Sequence, residues 1–212
     1  MKTPKYIIFD CDGVLIDSEI LANRVEAEIK SELGFPITVE EHIKKFVGMG
    51  LSHPDMQAEL KRLPSNYLDL VDQKMKEVYK KELKVIAGTV AALDSLNIPK
   101  CVASSSEPEW LDIKLSLTNL KKYFSDSIFH GKLVTKSKPE PDLFLFAISQ
   151  LGWAASDCLV VEDSVYGVQA GRAAGLKVCG FLGGAHVLPG HSDQLTKAGA
   201  DYLISDLKDL RL

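Results

Sequence analysis

Short apolar runs that alternate with helical segments are the feature that most constrains how this chain can fold. The runs lie at Tyr6–Phe9, 100–103, 158–161, 178–181 and Tyr202–Ile204, and helix-forming segments at 88–96 and Asp142–Leu151 separate some of them. Runs of four β-branched or aromatic residues bounded by turn formers are typical of buried strands, and their alternation with helices predicts a parallel sheet. We therefore predict an α/β fold.

A second pattern interrupts this alternation after the first run. Four apolar residues recur at every fourth position, followed by a glycine stop, and the pattern stays helical to about residue 83: Leu21, Val25, Ile29, Leu33 and Gly34. Asp17 and Ser18 offer an N-cap for the first of these helices. We therefore predict an all-helical domain at 18–83, inserted into a core formed by residues 1–17 and 84–212.

Composition and charge narrow the class of protein. The 212 residues are 46% hydrophobic and 25% charged, which is ordinary for globular domains. The net charge is -4 and the basic residues are scattered, so nucleic acid and anionic membranes are poor partners. The four cysteines form no C-x-x-C pair, and no apolar stretch has the length of a membrane span or a signal peptide. We expect a cytoplasmic protein.

Polar side chains follow three of the predicted strands, and a lysine stands in a proline-stiffened loop. Ligands of parallel sheets bind at the carboxyl ends of the strands, so these residues are expected to meet at one edge. They are Asp10 and Asp12 after the first strand, Ser104 after the second run, Glu162 and Asp163 after the third, and Lys138 before Pro139.

Such an edge suits phosphoryl transfer. The Asp10 carboxylate can attack phosphorus and form an aspartyl-phosphate, which divides hydrolysis into two easier steps. Oxygen ligands from Asp10, Asp163 and the backbone carbonyl of Asp12 suit Mg²⁺. Lys138 and the Ser104 hydroxyl would stabilise the charge on the phosphoryl oxygens.

Asp12 and Glu162 are expected to have supporting chemistry. Because Asp12 lies two residues after Asp10 in extended backbone, the two side chains face the same way. Asp12 could then protonate the leaving group and later activate water, provided its side chain is free of the metal. Glu162 would hold a metal-bound water or orient Lys138.

The motifs that contain these residues resemble the four sequence motifs of the haloacid dehalogenase superfamily. They are Phe9-Asp10-Cys11-Asp12-Gly13-Val14, Ser104, Lys138-Pro139-x-Pro141-Asp142 and Glu162-Asp163-Ser164-x-x-Gly167. The resemblance covers essentially the whole chain. It includes a helical cap after the first motif, as in the beta-phosphoglucomutase-like and sugar-phosphatase branch.

This resemblance implies a Rossmann-like core, a mobile helical cap and Mg²⁺-dependent phosphoryl transfer through an aspartyl-phosphate. It assigns the nucleophile to Asp10, the acid/base to Asp12 and phosphate contacts to Ser104 and Lys138. Metal binding falls to Asp10, Asp12 and Asp163. The expected substrate is a small phosphorylated metabolite, a sugar or sugar-acid phosphate. We expect the protein to be a monomer.

Two positions depart from the family pattern. The alternative function is a phosphosugar mutase of the beta-phosphoglucomutase type. In that mutase a histidine helps the enzyme discriminate its substrate from water, and Ala22 stands at this position here, which weakens the alternative. Ser105 stands where related phosphatases often have asparagine, and it would donate to phosphate with a shorter reach.

Two further functions stay open. A cap lysine at Lys44 or Lys45 would permit phosphonate hydrolysis, and a non-catalytic binding protein on the same scaffold is the remaining alternative.

Several other residues receive plainer assignments. Ser106 is expected to cap the following helix, and Cys11 to pack on the opposite face of its strand. The histidines His42, His53, His186 and His191 show no metal-ligand spacing and are assigned to surfaces or loops. Arg24 could contact substrate but fits a solvated helix face better, and residues 47–50 form either a loop over the site or a hinge.

Overall fold

A parallel sheet of six strands forms the centre of the protein, seen here in a computed structural model that describes residues 3–51 and 53–210. The strands are β1 (Tyr6–Phe9), β2 (Lys100–Ser104), β3 (Ile128–His130), β4 (Cys158–Glu162), β5 (Lys177–Phe181) and β6 (Tyr202–Ile204). Their order is β3-β2-β1-β4-β5-β6, and every neighbouring pair is parallel. The predicted α/β, Rossmann-like fold is confirmed.

The strand predictions erred in small ways. β2, β4 and β5 are each one residue longer than predicted, so Ser104 and Glu162 are the last residues of strands rather than the first residues after them. The edge strand β3 was missed, because its three residues alternate too briefly to stand out from the polar sequence around them.

The helices follow the chain in two groups. Between β1 and β2 lie α1 (Ser18–Glu32), α2 (Val39–Phe46), α3 (Pro54–Leu60), α4 (Tyr67–Glu82) and α5 (Thr89–Ser95). The sheet connections contain α6 (Pro108–Leu117), α7 (Asp142–Leu151), α8 (Val165–Ala173) and α9 (His191–Ala198). Within the described part of 18–83 the regular elements are helices, as predicted, and the domain division at 17 and 84 stays a prediction.

The apolar stripe of α1 explains how the helical segment packs. Leu21, Val25 and Ile29 are buried against Met75 and Tyr79 of α4, so the two helices share a small core of their own. Gly34 ends this stretch in the left-handed region, with φ of 88°.

The sheet is buried on both faces. Ile7 and Phe9 of β1 belong to one apolar cluster, whereas Ile8 belongs to a second cluster on the other face. Cys11 is fully buried in the first cluster, in agreement with the packing role predicted for it. None of the helices in the described ranges is long and apolar enough to cross a membrane.

Two chain segments connect the helical insert to the sheet, and they run side by side. The backbone N–H of Asp17 donates to the carbonyl of Lys84 at 3.0 Å, and Ile16 pairs antiparallel with Val85. Asp17 occupies the predicted N-cap position of α1, but its side chain does not cap the helix. Its carboxylate instead accepts from the N–H of Ala185 at 2.9 Å.

Candidate active site

The residues selected from the sequence surround one cavity at the carboxyl ends of β1, β2 and β4. This edge is the switch point of the sheet, where successive strands are added on opposite sides of β1. The cavity has a volume of about 840 Å³ and lies between the sheet and the helical insert. Every predicted site residue lines it: Asp10, Asp12, Ser104, Ser105, Lys138, Glu162 and Asp163.

Lys138 joins two of the carboxylates. Its Nζ lies 2.6 Å from Asp10 Oδ1 and 2.5 Å from Glu162 Oε1, and it donates to the carbonyl of Ala103 at 3.1 Å. Burial disfavours the charged lysine, but the two carboxylates outweigh it and raise the pKa of Lys138. Glu162 is thus in position to orient Lys138, one of the two roles expected for it.

Asp10 is buried at the floor of the cavity, 5% exposed. Burial raises its pKa to about 7, the charge of Glu162 adds to this effect, and Lys138 opposes it. A further positive charge near Asp10 would favour the ionised form that attack on phosphorus requires.

Asp12 has a different set of partners. Its carboxylate pairs with the ammonium of Lys114 and accepts from the hydroxyls of Ser18, Ser104 and Ser106 at 2.5, 3.2 and 2.7 Å. Burial favours the neutral acid, but Lys114 and the hydroxyl donors prevail and lower the pKa of Asp12 to about 2. The side chain of Asp12 is therefore occupied by protein donors.

The expected capping role of Ser106 is wrong. Glu107 occupies the N-cap position of α6, without a side-chain cap bond, and helix α6 begins at Pro108. The Ser106 hydroxyl instead donates to Asp12 and accepts from Lys114 at 2.7 Å, because Ser106 faces the cavity rather than the end of the helix.

Lys114 is a site residue that the sequence analysis missed. It is only 3% exposed, although a lysine in a helix is usually solvated. One signal was available: Lys114 is three residues after Leu111 and next to Leu115, and both leucines are buried. A lysine on the apolar stripe of a helix needs a buried partner, which here is Asp12.

Two histidines contact Asp163. The loop assignment is confirmed for His186, whereas His191 is the first residue of α9. His186 lies in a loop but is 1% exposed, and its Nε2 is 2.9 Å from Asp163 Oδ2, without the alignment of a hydrogen bond. His191 Nε2 lies 2.5 Å from the Asp163 carbonyl, which accepts from the ring. Burial lowers the pKa of His186, which favours the neutral form of the ring.

The assignment of His42 to a surface or loop is wrong. It is 1% exposed inside the helical insert, with its Nδ1 2.8 Å from Asn23 Oδ1 and its Nε2 3.1 Å from Lys30 Nζ. One signal was available here too, because His42 is next to Ile43 and four residues before Phe46, and both are buried. The polar partners of His42 come from α1, a separate helix.

Two glycines of the motifs leave room for these acidic groups. Gly13 has φ of 75°, and a side chain there would overlap Asp163 and His186. At Gly167, in the first turn of α8, the space for a side chain is filled by the carboxylate of Glu162. The motif glycines therefore allow close approach of the carboxylates to the backbone.

The oxygen groups near Asp163 fit a divalent cation. In the described residues no three His, Cys, Asp or Glu side chains converge to hold an ion alone, but the predicted site uses two carboxylates and the carbonyl of Asp12. Burial and the charge of Asp10 raise the pKa of Asp163, and no lysine or arginine in the described ranges lies within ion-pair distance of it. Two buried carboxylates that repel each other are an environment in which Mg²⁺ is stabilising.

The basic residues of the helical insert do not contribute to the site. Gly48, Met49 and Gly50 line the cavity, so the loop at 47–50 lies over it. Arg24, Lys44 and Lys45 do not line it, and they pair with Glu82, Glu40 and Glu59 at 2.8, 2.7 and 3.1 Å.

The family follows from comparison with known proteins. Residues 7–181 match the family model described as haloacid dehalogenase-like hydrolase. The chain belongs to this family. The resemblance of the four motifs is thereby confirmed, and the haloacid dehalogenase-like fold accounts for the sheet order and for the position of the cavity.

Similar members of the haloacid dehalogenase family include named phosphatases. The chain is 28% identical over 193 residues to a 6-phosphogluconate phosphatase of Escherichia coli, covering 89% of this chain and 87% of that protein. It is 30% identical over 205 residues to a phosphorylated carbohydrates phosphatase of Thermotoga maritima, covering 93% of each. A solved haloacid dehalogenase-like protein of unknown function from Agrobacterium tumefaciens is 39% identical, with a TM-score of 0.86 over 97% of this chain and 95% of that one.

Proposed function

We propose that this haloacid dehalogenase-like hydrolase is a Mg²⁺-dependent phosphatase that cleaves a small phosphomonoester, a sugar or sugar-acid phosphate, through an aspartyl-phosphate at Asp10. It is a phosphoric monoester hydrolase, as its named relatives are. One observation carries the mechanism: Asp10 lies buried at the switch point of the sheet, 2.6 Å from the ammonium of Lys138, at the floor of the cavity.

In the first step an oxygen of the Asp10 carboxylate attacks phosphorus, and the bond from phosphorus to the leaving oxygen breaks. Lys138 and the hydroxyls of Ser104 and Ser105 donate to the phosphoryl oxygens. Asp12, whose pKa is lowered to about 2 by its present donors, must first exchange them for a proton, and it then gives that proton to the leaving oxygen. Bound through Asp10, Asp163 and the Asp12 carbonyl, Mg²⁺ would supply positive charge that lets an anion approach a phosphate.

In the second step Asp12 takes a proton from water, and the water oxygen attacks the phosphorus of the aspartyl-phosphate. This restores the Asp10 carboxylate and releases inorganic phosphate. Asp12 accepts from Ser18, the first residue of α1, so a movement of the helical insert would change its hydrogen bonds. Closure of the insert could thus prepare Asp12 for proton transfer.

The structure gives less support to the alternatives. Ala22 lines the cavity where the mutase has a histidine, and its methyl group cannot hydrogen-bond a sugar intermediate. Lys44 and Lys45 do not line the cavity, so no Schiff-base lysine for phosphonate hydrolysis comes from them. A non-catalytic protein would have no need for the paired acids Asp10 and Asp12. Comparing phosphate release with isomer formation separates a phosphatase from a mutase.

The deciding experiment is the Asp10→Asn variant, assayed for phosphate release from a panel of sugar phosphates with Mg²⁺ and with excess chelator. We expect activity to fall by about a thousandfold or more, because the amide is not a nucleophile. Asp112→Asn, an exposed change on α6, is the matched control and should keep activity. Asp10→Asn with wild-type activity would disprove the mechanism. The monomeric state and the cytoplasmic location stay predictions.

A further inference from the structure

The two walls of the cavity differ in charge, and we infer from this difference that the enzyme prefers phosphate esters whose leaving group carries hydroxyls and no negative charge. This inference rests on the proposed phosphatase function. It goes beyond that function by separating neutral polyol phosphates from sugar-acid phosphates and bisphosphates, which the family resemblance leaves together.

The wall formed by the helical insert has acidic and neutral polar groups. In the part of 18–83 that the structure describes, no lysine, arginine or histidine lines the cavity. The polar lining residues of this wall are Glu19, Asn23 and Glu26 of α1, Gln57 of α3, and Asp69, Asp72 and Tyr79 of α4. Asp72 is paired with Lys76 at 2.5 Å, but Lys76 does not line the cavity, so a substrate anion that reached this wall would meet carboxylates and, among the described residues, no lining cation.

The cations of the cavity belong to the opposite wall, where phosphate would bind. Lys138 and Lys114 are buried there, each against a catalytic carboxylate. Lys132, at the edge, has a side chain that is 65% exposed and pairs with Glu107 at 3.1 Å. Positive charge is thus concentrated at the phosphate end of the cavity.

Lys30 is the buried cation of the helical insert, and its charge is already compensated. Its ammonium lies 3.6 Å from Glu59 Oε1, 3.1 Å from His42 Nε2 and 3.9 Å from the centre of the Phe46 ring. Phe46 lines the cavity, whereas Lys30 does not. Lys30 therefore supplies no contact for a substrate carboxylate.

Hydroxyl groups suit this wall. Carboxylate and amide oxygens accept hydrogen bonds from sugar hydroxyls, and the same oxygens repel a carboxylate strongly when both are removed from water. A leaving group with hydroxyls donates hydrogen bonds to these acceptors, whereas an added anion places further negative charge beside them.

A pair of substrates tests the inference with one group changed. Sorbitol 6-phosphate and 6-phosphogluconate have the same carbon chain and the same phosphate, and they differ in a terminal hydroxymethyl or carboxylate group. With the wild-type enzyme and Mg²⁺, we expect kcat/KM for sorbitol 6-phosphate to be at least about tenfold higher, the effect of one poorly compensated charge.

A cation placed in the wall should reverse the preference. Ala22 is a half-buried residue of α1 that lines the cavity, so Ala22→Lys adds a positive charge without removing a polar contact. We expect Ala22→Lys to raise the ratio of kcat/KM for 6-phosphogluconate over sorbitol 6-phosphate by about tenfold. Ala22→Met, of similar length and no charge, should leave the ratio as in the wild type.

Other results would overturn the inference. One is that the wild type hydrolyses 6-phosphogluconate as fast as sorbitol 6-phosphate, or faster. The others are that the ratio of kcat/KM for the two substrates changes equally in both Ala22 variants, or that it does not change in Ala22→Lys. Hydrolysis of p-nitrophenyl phosphate with neither polyol ester cleaved would also overturn it, while the phosphatase function would stand. If p-nitrophenyl phosphate were not cleaved either, the proposed function itself would fail and the inference with it.

Discussion

Two buried lysines give the two acids of the first motif different surroundings. Asp10 lies against Lys138, whereas Asp12, two residues later, lies against Lys114 and three serines. The pKa of Asp10 is raised to about 7 by burial, and that of Asp12 is lowered to about 2 by its donors despite burial. These directions are the reverse of those that a nucleophile and a proton donor need, so the proposed roles require a cation beside Asp10 and the loss of donors from Asp12 before the reaction.

Replacing Lys114 tests whether Asp12 depends on it. We expect Lys114→Met to lower kcat by about 10- to 100-fold with a smaller change in KM, because Asp12 would lose the donor that positions its carboxylate. The measurement is steady-state phosphate release, with circular dichroism to check folding. Lys121→Met, at an exposed lysine paired with Asp112, is the control. Unchanged kcat in Lys114→Met would contradict a positioning role.

Replacing His186 tests the proposed metal site. The ring is buried against Asp163, so His186→Ala would free that carboxylate to move. We expect Mg²⁺ affinity to fall by about 10- to 100-fold, as for other residues that support a metal ligand. Calorimetric titration of the free enzyme with Mg²⁺ measures this without turnover. Equal affinity in wild type and variant would show that His186 does not orient Asp163.

The sequence could identify site residues that end strands, but not residues that reach the site from elsewhere. Asp10, Ser104 and Asp163 were predicted because strand ends in a parallel sheet share one edge. Lys114 comes from the second turn of α6 and His186 from a glycine-containing loop. Their positions depend on packing between distant segments, which local patterns do not encode.

At the scale of helices, the insert contains a buried polar group of its own. Lys30 and Asn23 of α1 contact His42 of α2, and all three are at most 4% exposed. Burial, with the charge of Lys30, lowers the pKa of His42 to about 3. The folded insert therefore holds His42 neutral over a range in which the unfolded chain protonates it.

This difference predicts an acid-sensitive insert. Below about pH 6.5 the unfolded state binds a proton at His42 that the folded state does not bind, so the free energy of unfolding falls as pH falls toward 3. The slope from this one group is about 1.4 kcal/mol per pH unit. Urea unfolding between pH 8 and pH 5 measures it. We expect a shallower slope in His42→Gln, whereas equal slopes would refute the assignment.

The matched control is His53→Gln, at the start of α3. His53 is less buried than His42, and its ring contacts Tyr166 and the N–H of Asp55. Its replacement should leave the pH dependence of unfolding close to that of the wild type. A change as large as that in His42→Gln would assign the acid sensitivity to histidines in general rather than to the buried cluster.

Element prediction succeeded where a pattern was long or strongly apolar. α1 was predicted from a stripe of four residues, and β1 and β6 were predicted with the bounds that the structure shows. β3 was missed because an edge strand of three residues is defined by its pairing with β2 rather than by its own sequence.

For the whole molecule, the sequence predicted the fold class and the edge of the sheet at which the candidate site residues meet. It did not predict the charge of the cavity wall: Lys44 and Lys45 were candidates to contact a substrate anion, and Arg24 was assigned to a solvated helix face. In the structure these residues pair with glutamates, while Glu19 and Glu26 line the cavity. Which face of each helix looks toward the sheet depends on how the insert docks, and hydrophobic periodicity alone leaves that undetermined.

The neighbouring backbone at Asp17 and Lys84 has a consequence for how such enzymes can be rebuilt. Because these two residues are hydrogen-bonded, a turn of about two residues would be enough to close the sheet domain without the insert. The same geometry would accept a different insert without stretching the chain. Exchange of whole segments between these two points would then offer a route, in the laboratory or in evolution, to new selectivity on an unchanged reaction centre.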